Sequence, residues 1–581
     1  MNDNLIQLST RNTLSRLWSV LKPNKLYLFI SILMSASVSA IMLYAMQRVG
    51  VIVDLILSGT ITTIFLTQII ILFFLFAAIS VVTLIQIYTM AIVGQRLAND
   101  LRYMLFSKVI VLPMSYFDKH TTGDLMSRMT NDIDQINTSF SDNFTSLIEA
   151  IVNVIGTFLA MALLSVKLTL WAALVFPLFF ILTAIVSQIS KRLFSRYQFA
   201  LGEMNTYIEE KLSAQNMLML FDYKSRNLQK FNAVNETVSS TYAAAQTSSV
   251  MAPIMTFINH LIYVIIAIIG GLSIIHGDAL TVGTLFTFLL YMRRFATPLN
   301  QLASIYNAFQ ATVSASARIF SVLDEFDEKE ALGHNRNHPF PSDNTITFDH
   351  VCFSYNTLPI LHDISLTLPE KKTIAIVGAT GAGKTTLTNL LLSYYLPSSG
   401  RILIGGIDLS TITLDEIHRH IGVMPQQPMI FNASILENIG LGNPSSSKEE
   451  IIKASKITGF HKIVNELPDS YETILHDQGA TLSQGQRQLL AITRALLSQN
   501  DILILDEATS SLDSHTEAIV QNAFSQLMKQ KTLLIIAHRL STIKNADFIV
   551  VMKQGNLVEA GTHAELLQHK GYYHRLYTSQ F

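Results

Sequence analysis

Residues 378–385 read Gly378-Ala379-Thr380-Gly381-Ala382-Gly383-Lys384-Thr385, the G-x-x-x-x-G-K-[ST] spacing of a phosphate loop. Its glycines let consecutive backbone N–H groups turn inward around phosphates. Lys384 then reaches the β and γ phosphates, the Thr385 hydroxyl ligates Mg²⁺, and Thr386 opens the helix beyond. The flanks fit. Thr373–Val377 is an apolar, β-branched run suited to a buried strand, and 386–392 read as a helix whose N-terminus faces the anion. The spacing predicts that the loop binds a nucleoside triphosphate. Downstream, Asp501-Ile-Leu-Ile-Leu-Asp506-Glu507 is a second buried strand ending in two carboxylates. Asp506 is placed to hold the Mg²⁺ shell, and Glu507, one residue on, to polarise an attacking water.

These groups occupy only part of a chain of 581 residues, too long for one core. Charged residues make up 14% and apolar residues 50%. The charge deficit is concentrated before about residue 310. A bilayer span needs about 20 mostly apolar residues, and six segments are expected to supply one each: 26–47, 64–94, 144–166, 168–190, 251–275 and 281–309. The first, second, fourth and fifth contain no Asp, Glu, Lys or Arg. Each such charge would cost about 2.5–3.5 kcal/mol at a helix centre. The long connectors carry the basic residues, among them Arg96, Arg102, Lys119, Arg192, Lys211 and Lys230, so both connectors and both termini are expected in the cytoplasm. Leu14–Leu21, with Trp18 as anchor, should lie along the membrane surface. Within the spans Glu149, Asn259 and His260 are candidates for contact with substrate, while Arg293 and Arg294 interrupt the sixth.

Other classes drop out. A net charge of −1 gives no electrostatic argument for nucleic acid. The single Cys352 excludes an intramolecular disulfide and most metal-site schemes. The N-terminus lacks the pattern of a cleavable secretory signal. The expected organisation is an interfacial helix at 1–25, a six-helix α transmembrane domain at 26–320, a linker at 321–344 and an α/β phosphate-loop ATPase domain at 345–581.

Further motifs carry a resemblance over nearly the whole chain. Leu482-Ser483-Gln484-Gly485-Gln486 is similar to the Leu-Ser-Gly-Gly-Gln signature of ATP-binding cassette exporters, and Ser511-Leu-Asp513 matches their D-loop. Ile536-Ala-His538-Arg matches the switch histidine segment, Val423-Met-Pro-Gln426 the Q-loop, and Tyr355 the aromatic that stacks on adenine. Tyr116–Asp124 resembles the first coupling helix, and the stretch 213–226 is placed like the second. The resemblance is to an exporter half-transporter and implies the following roles. His538 sits at the γ-phosphate, Gln426 senses Mg²⁺ and water, Glu507 is the base, and Ser483 to Gln486 with Asp513 complete an ATP site with a second half-transporter. Gln484 replaces the first signature glycine, and Leu475-His-Asp-Gln-Gly479 stands where many homodimeric members carry Glu-Arg-Gly. Both departures resemble the catalytic-glutamate subunit of heterodimeric bacterial multidrug exporters. Apolar spans with few fixed charges favour hydrophobic or amphipathic compounds, so multidrug efflux is the leading expectation. Lipid flipping is the nearest alternative, followed by peptide export, for which no added N-terminal protease domain is expected. An ATP-gated channel or regulator comes last.

Overall fold

The structure, a computed structural model, describes residues 12–580 except 14, 60–62, 216–218, 220–223, 248–250, 277–279, 334–335, 356–357, 507–518, 521, 527–530 and 538–542. The chain separates into two compact units, one of residues 1–106 and 126–323, the other of 107–125 and 324–581.

The first unit is helical. Its long elements are α1 (Lys25–Leu57), α2 (Thr63–Val109), α4 (Thr122–Leu164), α5 (Val166–Ser213), α6 (Lys224–Thr247), α7 (Met251–Ile275) and α8 (Val282–Leu323). A one-turn helix, α3 (Met114–Phe117), lies between α2 and α4 and belongs to the second unit. The six apolar segments fall on α1, α2, α4, α5, α7 and α8. Among the described residues, three helical stretches are long and apolar enough to cross a membrane, Ser15–Leu57, Thr63–Val109 and Thr122–Leu164. The first includes the surface helix read from sequence, which passes through a tight turn at Lys22–Asn24 into α1. Apolar side chains face outward on α2, with Phe73 69% exposed, a surface that water would not tolerate at this scale and lipid would.

Without water to drive apolar surfaces together, membrane helices associate through close packing and hydrogen bonds. Helices α1 and α8 meet in this way. A Cβ on Gly50 would fall 2.5 Å from the Gly283 carbonyl oxygen, and one on Gly283 would fall 2.1 Å from that of Gly50. Beside this contact Asp54 of α1 caps α8, accepting from Gly283 N at 2.7 Å and from the Thr281 hydroxyl at 2.7 Å. Further along, the Tyr291 hydroxyl donates to the Leu43 carbonyl at 2.8 Å. Helix α4 contains two wide π turns, at Arg128–Asp132 and Ser139–Asn143. The first holds Asp132, which accepts both arms of Arg318 of α8 at 2.9 and 2.5 Å. The second holds Ser139, bonded to Thr312 of α8.

The second unit is built on two sheets. One is antiparallel, in the order β2-β1-β4-β5, with β1 Ile346–Ser354, β2 Pro359–Leu368, β4 Ser399–Ile404 and β5 Ile407–Asp408. The other has the order β10-β9-β3-β8-β7-β6 and is parallel apart from its β9–β10 edge. Its strands are β3 Thr373–Val377, β6 Ile421–Met424, β7 Ile502–Asp506, β8 Thr532–Ile536, β9 Phe548–Lys553 and β10 Asn556–Gly561. Alternate residues of the parallel strands enter two different cores. Ile374, Ile376, Ile502 and Ile504 face one, and Ala375, Val377, Leu503 and Leu505 the other. Both faces being covered, the strands read as unbroken apolar runs.

The stretch expected as a linker is divided. Residues 321–323 finish α8, whereas the described residues of 324–344 pack within the second unit. There a short helix, Glu328–Ala331, is fastened to the segment before α3. Lys108 pairs with Asp327, and Glu328 N donates to the Val111 carbonyl at 2.8 Å. Arg336 is buried and donates to the Leu332, Leu409 and Ile412 carbonyls.

The backbone contact between α1 and α8 is testable. Gly283→Val should destabilise the protein by about 1–3 kcal/mol through overpacking, lowering the melting temperature in detergent. Gly271→Val, where a Cβ meets nothing within 4 Å, should not. Equal melting temperatures for the two variants would refute the contact.

Candidate functional site

The parallel sheet delivers its chemical groups to one edge, the carboxyl ends of its strands, which is where open α/β sheets bind ligands. β3 runs into the phosphate loop, and the loop into α9 (Lys384–Leu391). The loop needs glycine at two positions by conformation, since Gly381 and Gly383 have φ of +80° and +96°. It needs a third by proximity, because a Cβ on Gly378 would lie 2.4 Å from the Met552 carbonyl oxygen. Lys384 is almost completely buried, and its ammonium donates back to the Gly378 and Ala379 carbonyls at 2.7 and 3.1 Å. The charge is therefore held over the loop rather than released to solvent. Ala379, Thr380 and Thr385 are exposed, while Ala382 and Thr386 are buried beneath them.

Asp506 ends β7, half-buried. Because β6 pairs in register with β7, Met424 opposite Leu505, Gln426 emerges beyond β6 on the same edge and is exposed. β8 lies between β3 and β7, with Ile536 opposite Asp506. Glu507, Asp513 and His538 lie outside the described residues, as do half of the positions expected for the second coupling helix, 216–218 and 220–223. The donor set fits a magnesium–nucleotide pair: a hydroxyl at Thr385, a carboxylate at Asp506, a buried ammonium and a helix N-terminus.

The base of the nucleotide has its own platform. Tyr355 is 41% exposed, its ring edge-on to Phe353 at 4.9 Å and to Tyr395 at 5.0 Å. Its hydroxyl accepts from Asn389 of α9 at 3.3 Å. The sequence reading missed Tyr395. Its hydroxyl donates to Asp118, just beyond α3, so the aromatic cluster under Tyr355 also touches the segment resembling the first coupling helix. Burial, then this carboxylate, push the Tyr395 phenol far above its usual value. The Tyr394-Tyr395 pair after α9 was the available signal.

The signature residues open α10 (Gln484–Leu497). Ser483 is the N-cap: its hydroxyl accepts from Gln486 N at 3.3 Å, and Gln486 Oε1 accepts from Ser483 N at 2.8 Å. This capping box explains a glutamine at 486 independently of any ligand. Gln484 takes the first helical position, half-buried, and Gly485 is buried. Arg494, missed from sequence, anchors the helix by donating to the Asn438 and Met429 carbonyls, each at 2.9 Å. Burial lowers its pKa from the usual value.

In the membrane unit Glu149 is half-buried and accepts from Gln86 Nε2 at 3.0 Å, while Arg294 donates to Asn153 at 2.9 Å. His260 is exposed, and the Asn259 side chain lies outside what the structure describes. An apolar cavity of about 250 Å³ opens between the surface helix, α4 and α8, lined by Leu17, Trp18, Phe140, Phe144 and Phe309 among others.

Comparison with known proteins places both halves. Residues 28–299 match the ABC transporter transmembrane region, and residues 361–510 match the ABC transporter domain. An uncharacterized ABC transporter ATP-binding protein of Bacillus subtilis is 35% identical over 574 residues, covering 98% of this chain and 95% of its own. A fatty acid ABC transporter ATP-binding/permease protein of Mycobacterium bovis is 38% identical over 488 residues, 83% of this chain and 76% of its own. An ATP-dependent lipid A-core flippase of Syntrophus aciditrophicus is 36% identical over 501 residues, 85% and 82% respectively. A helical transmembrane region followed by an ATP-hydrolysing domain, matched along 95% of the Bacillus subtilis relative, makes this chain a member of the ABC transporter family with exporter architecture.

Proposed function

We propose that this chain is one half of an ATP-driven exporter that moves hydrophobic or amphipathic compounds outward by alternating access. The observation that carries this reading is the gathering of Lys384, Thr385, Asp506 and Gln426 on one sheet edge of a chain whose other half is apolar helices. Thr385 and Asp506 would hold Mg²⁺, which neutralises charge on the phosphates when bound. Lys384 and the loop N–H groups bind the β and γ phosphates, Tyr355 stacks on adenine, Glu507 takes the proton of the attacking water, and His538 steadies the γ-phosphate. Both termini and the ATPase domain are cytoplasmic in this reading, and the membrane is the cell membrane of a bacterium.

Multidrug efflux and lipid flipping are the two substrate readings. The names of the relatives, a fatty acid transporter and lipid A-core flippases, favour a cargo with an acyl chain. The apolar cavity beside Trp18 suits such a chain. Stimulation of ATPase activity by lipid rather than by cationic drugs would decide between them.

The partner is a different half-transporter in this proposal, because Gln484 brings a side chain to the first turn of α10, where glycine would let backbone N–H groups approach a phosphate. Gln484 then serves a degenerate site held by the partner, and Glu507 works against the partner's signature.

Glu507→Gln should reduce steady-state hydrolysis by about 10²–10⁴-fold, as loss of a general base does, while leaving ATP binding intact. Lys384→Ala should weaken binding itself. Retained turnover in the first variant would remove Glu507 as the base. Topology is checked with single cysteines in a background lacking Cys352. Those at Leu168 and Gly277 should label from outside the cell with an impermeant thiol reagent, and those at Lys119 and Ser213 only after permeabilisation. The reverse pattern overturns the orientation. Asymmetry is read from the purified chain. Alone it should hydrolyse ATP poorly, and co-expression with a partner carrying two signature glycines and a substituted glutamate after its own magnesium-binding aspartate should restore activity. Full turnover by this chain alone would favour a homodimer.

A further inference from the structure

Four helices of the membrane unit converge on a polar cluster that ATP chemistry does not require. Gln86 of α2 is wholly buried, and its amide donates both to the Ser35 hydroxyl of α1 at 2.9 Å and to Glu149 Oε1 of α4 at 3.0 Å. One turn further along α4, Asn153 Oδ1 accepts from Ser39 of α1 at 2.8 Å and from Arg294 Nη2 of α8 at 2.9 Å. Glu149 and the acceptor of Arg294, Asn153, lie one turn apart on α4. The cluster thus holds one cation and one anion among apolar helices, where charges are costly and persist chiefly at functional positions.

Its hydrogen bonding is incomplete. Arg294 Nε and Gln86 Oε1 are shielded from solvent yet have no hydrogen-bond partner among the described residues. Thr157 Oγ1, one turn beyond Asn153 on the same helix, is in the same condition. Buried polar groups are normally satisfied, so such exceptions call for an explanation. The guanidinium has a specific deficit. It presents five N–H donors in a planar fork that matches a carboxylate or phosphate, whereas Asn153 offers it a single amide oxygen. Arg294 is also only partly buried, so the fork is reachable.

We propose that Arg294 is the receptor for the anionic head group of an amphipathic substrate, a carboxylate or phosphate monoester on a long alkyl chain. Glu149 is the internal counter-charge that this head group replaces. Gln86 and Ser35 hold Glu149 while the site is unliganded, and Asn153 with Ser39 orients the guanidinium. The inference rests on the reading of the chain as an exporter of amphipaths and names the chemistry that selects them. It assigns Glu149 and Arg294 opposite effects on affinity, which a purely structural polar contact between helices would not produce.

The test uses the full-length transporter with its partner half in vesicles of zwitterionic lipid, and three probes of equal chain length: dodecanoate, dodecyl phosphate and dodecanol. Binding is read as the concentration giving half-maximal thermal stabilisation. Arg294→Gln should raise this concentration at least tenfold for the anionic probes while leaving dodecanol within twofold. Glu149→Gln should lower it severalfold for the anionic probes alone, a gain that damage to the fold would not mimic. The anionic probe that binds wild type more tightly identifies the head group as carboxylate or phosphate. If Arg294→Gln shifts anionic and neutral probes equally, or Glu149→Gln weakens anionic binding, the receptor assignment fails while the export reading stands. If wild type binds none of the three and ATPase activity responds to no amphipath, the export reading fails, and the receptor with it.

Discussion

The parallel sheet of the ATPase domain is covered on both faces, and that constraint organises everything catalytic in the chain. Strands whose side chains alternate between two apolar cores, as in Ile374, Ala375, Ile376 and Val377, have no room for a charged group along their length. Polar chemistry can begin only where a strand ends. Asp506 is the first position of β7 that escapes the cores, and the phosphate loop starts at the residue after β3. The parallel register of β3, β8, β7 and β6 then puts these ends side by side. The site is a by-product of burial as much as of any local motif.

The membrane unit works under the opposite rule. Its helices gain nothing from hiding apolar side chains in lipid, so what joins them is geometric fit and polar contact. Gly50 against Gly283 supplies the first kind of contact. Asp54 on the start of α8, Asp132 with Arg318, and the cluster around Asn153 supply the second. Each of these contacts joins helices far apart in sequence.

That difference also explains what could be read in advance. The phosphate loop, the two strands and the apolar segments were legible because each is encoded locally, by glycine spacing, by β-branched runs or by length without charge. The motif points Gln486 at a ligand, yet in this chain it also closes a capping box on Ser483, a role that any Ser-x-x-Gln pattern can carry. Arg336 lay in a stretch read as a linker. Its three carbonyl acceptors come from two separate loops, so no local pattern marks it. Tyr395 with Asp118 and Gln86 with Glu149 are tertiary pairs, separated by whole domains or helices. A single sequence names the members of such pairs without matching them. Glu149 stands out in the sequence as an intramembrane carboxylate. Its company was not foreseeable from composition or period.

The two wide turns in α4 alter how that helix stores information. Ordinary helical geometry advances each residue by about 100°, so losing one residue would swing every later side chain to a different face. A π turn already contains one residue more than the α ladder needs. Shortening the chain by one at Arg128–Asp132 or Ser139–Asn143 would convert the turn to regular helix and leave the far end in phase. What it would remove is the local bulge that presents Asp132 to Arg318 or Ser139 to Thr312. In α4 the tolerance for length change and the pairing with α8 therefore reside in the same ten residues, and a lineage that shed one there would keep its span while surrendering its grip.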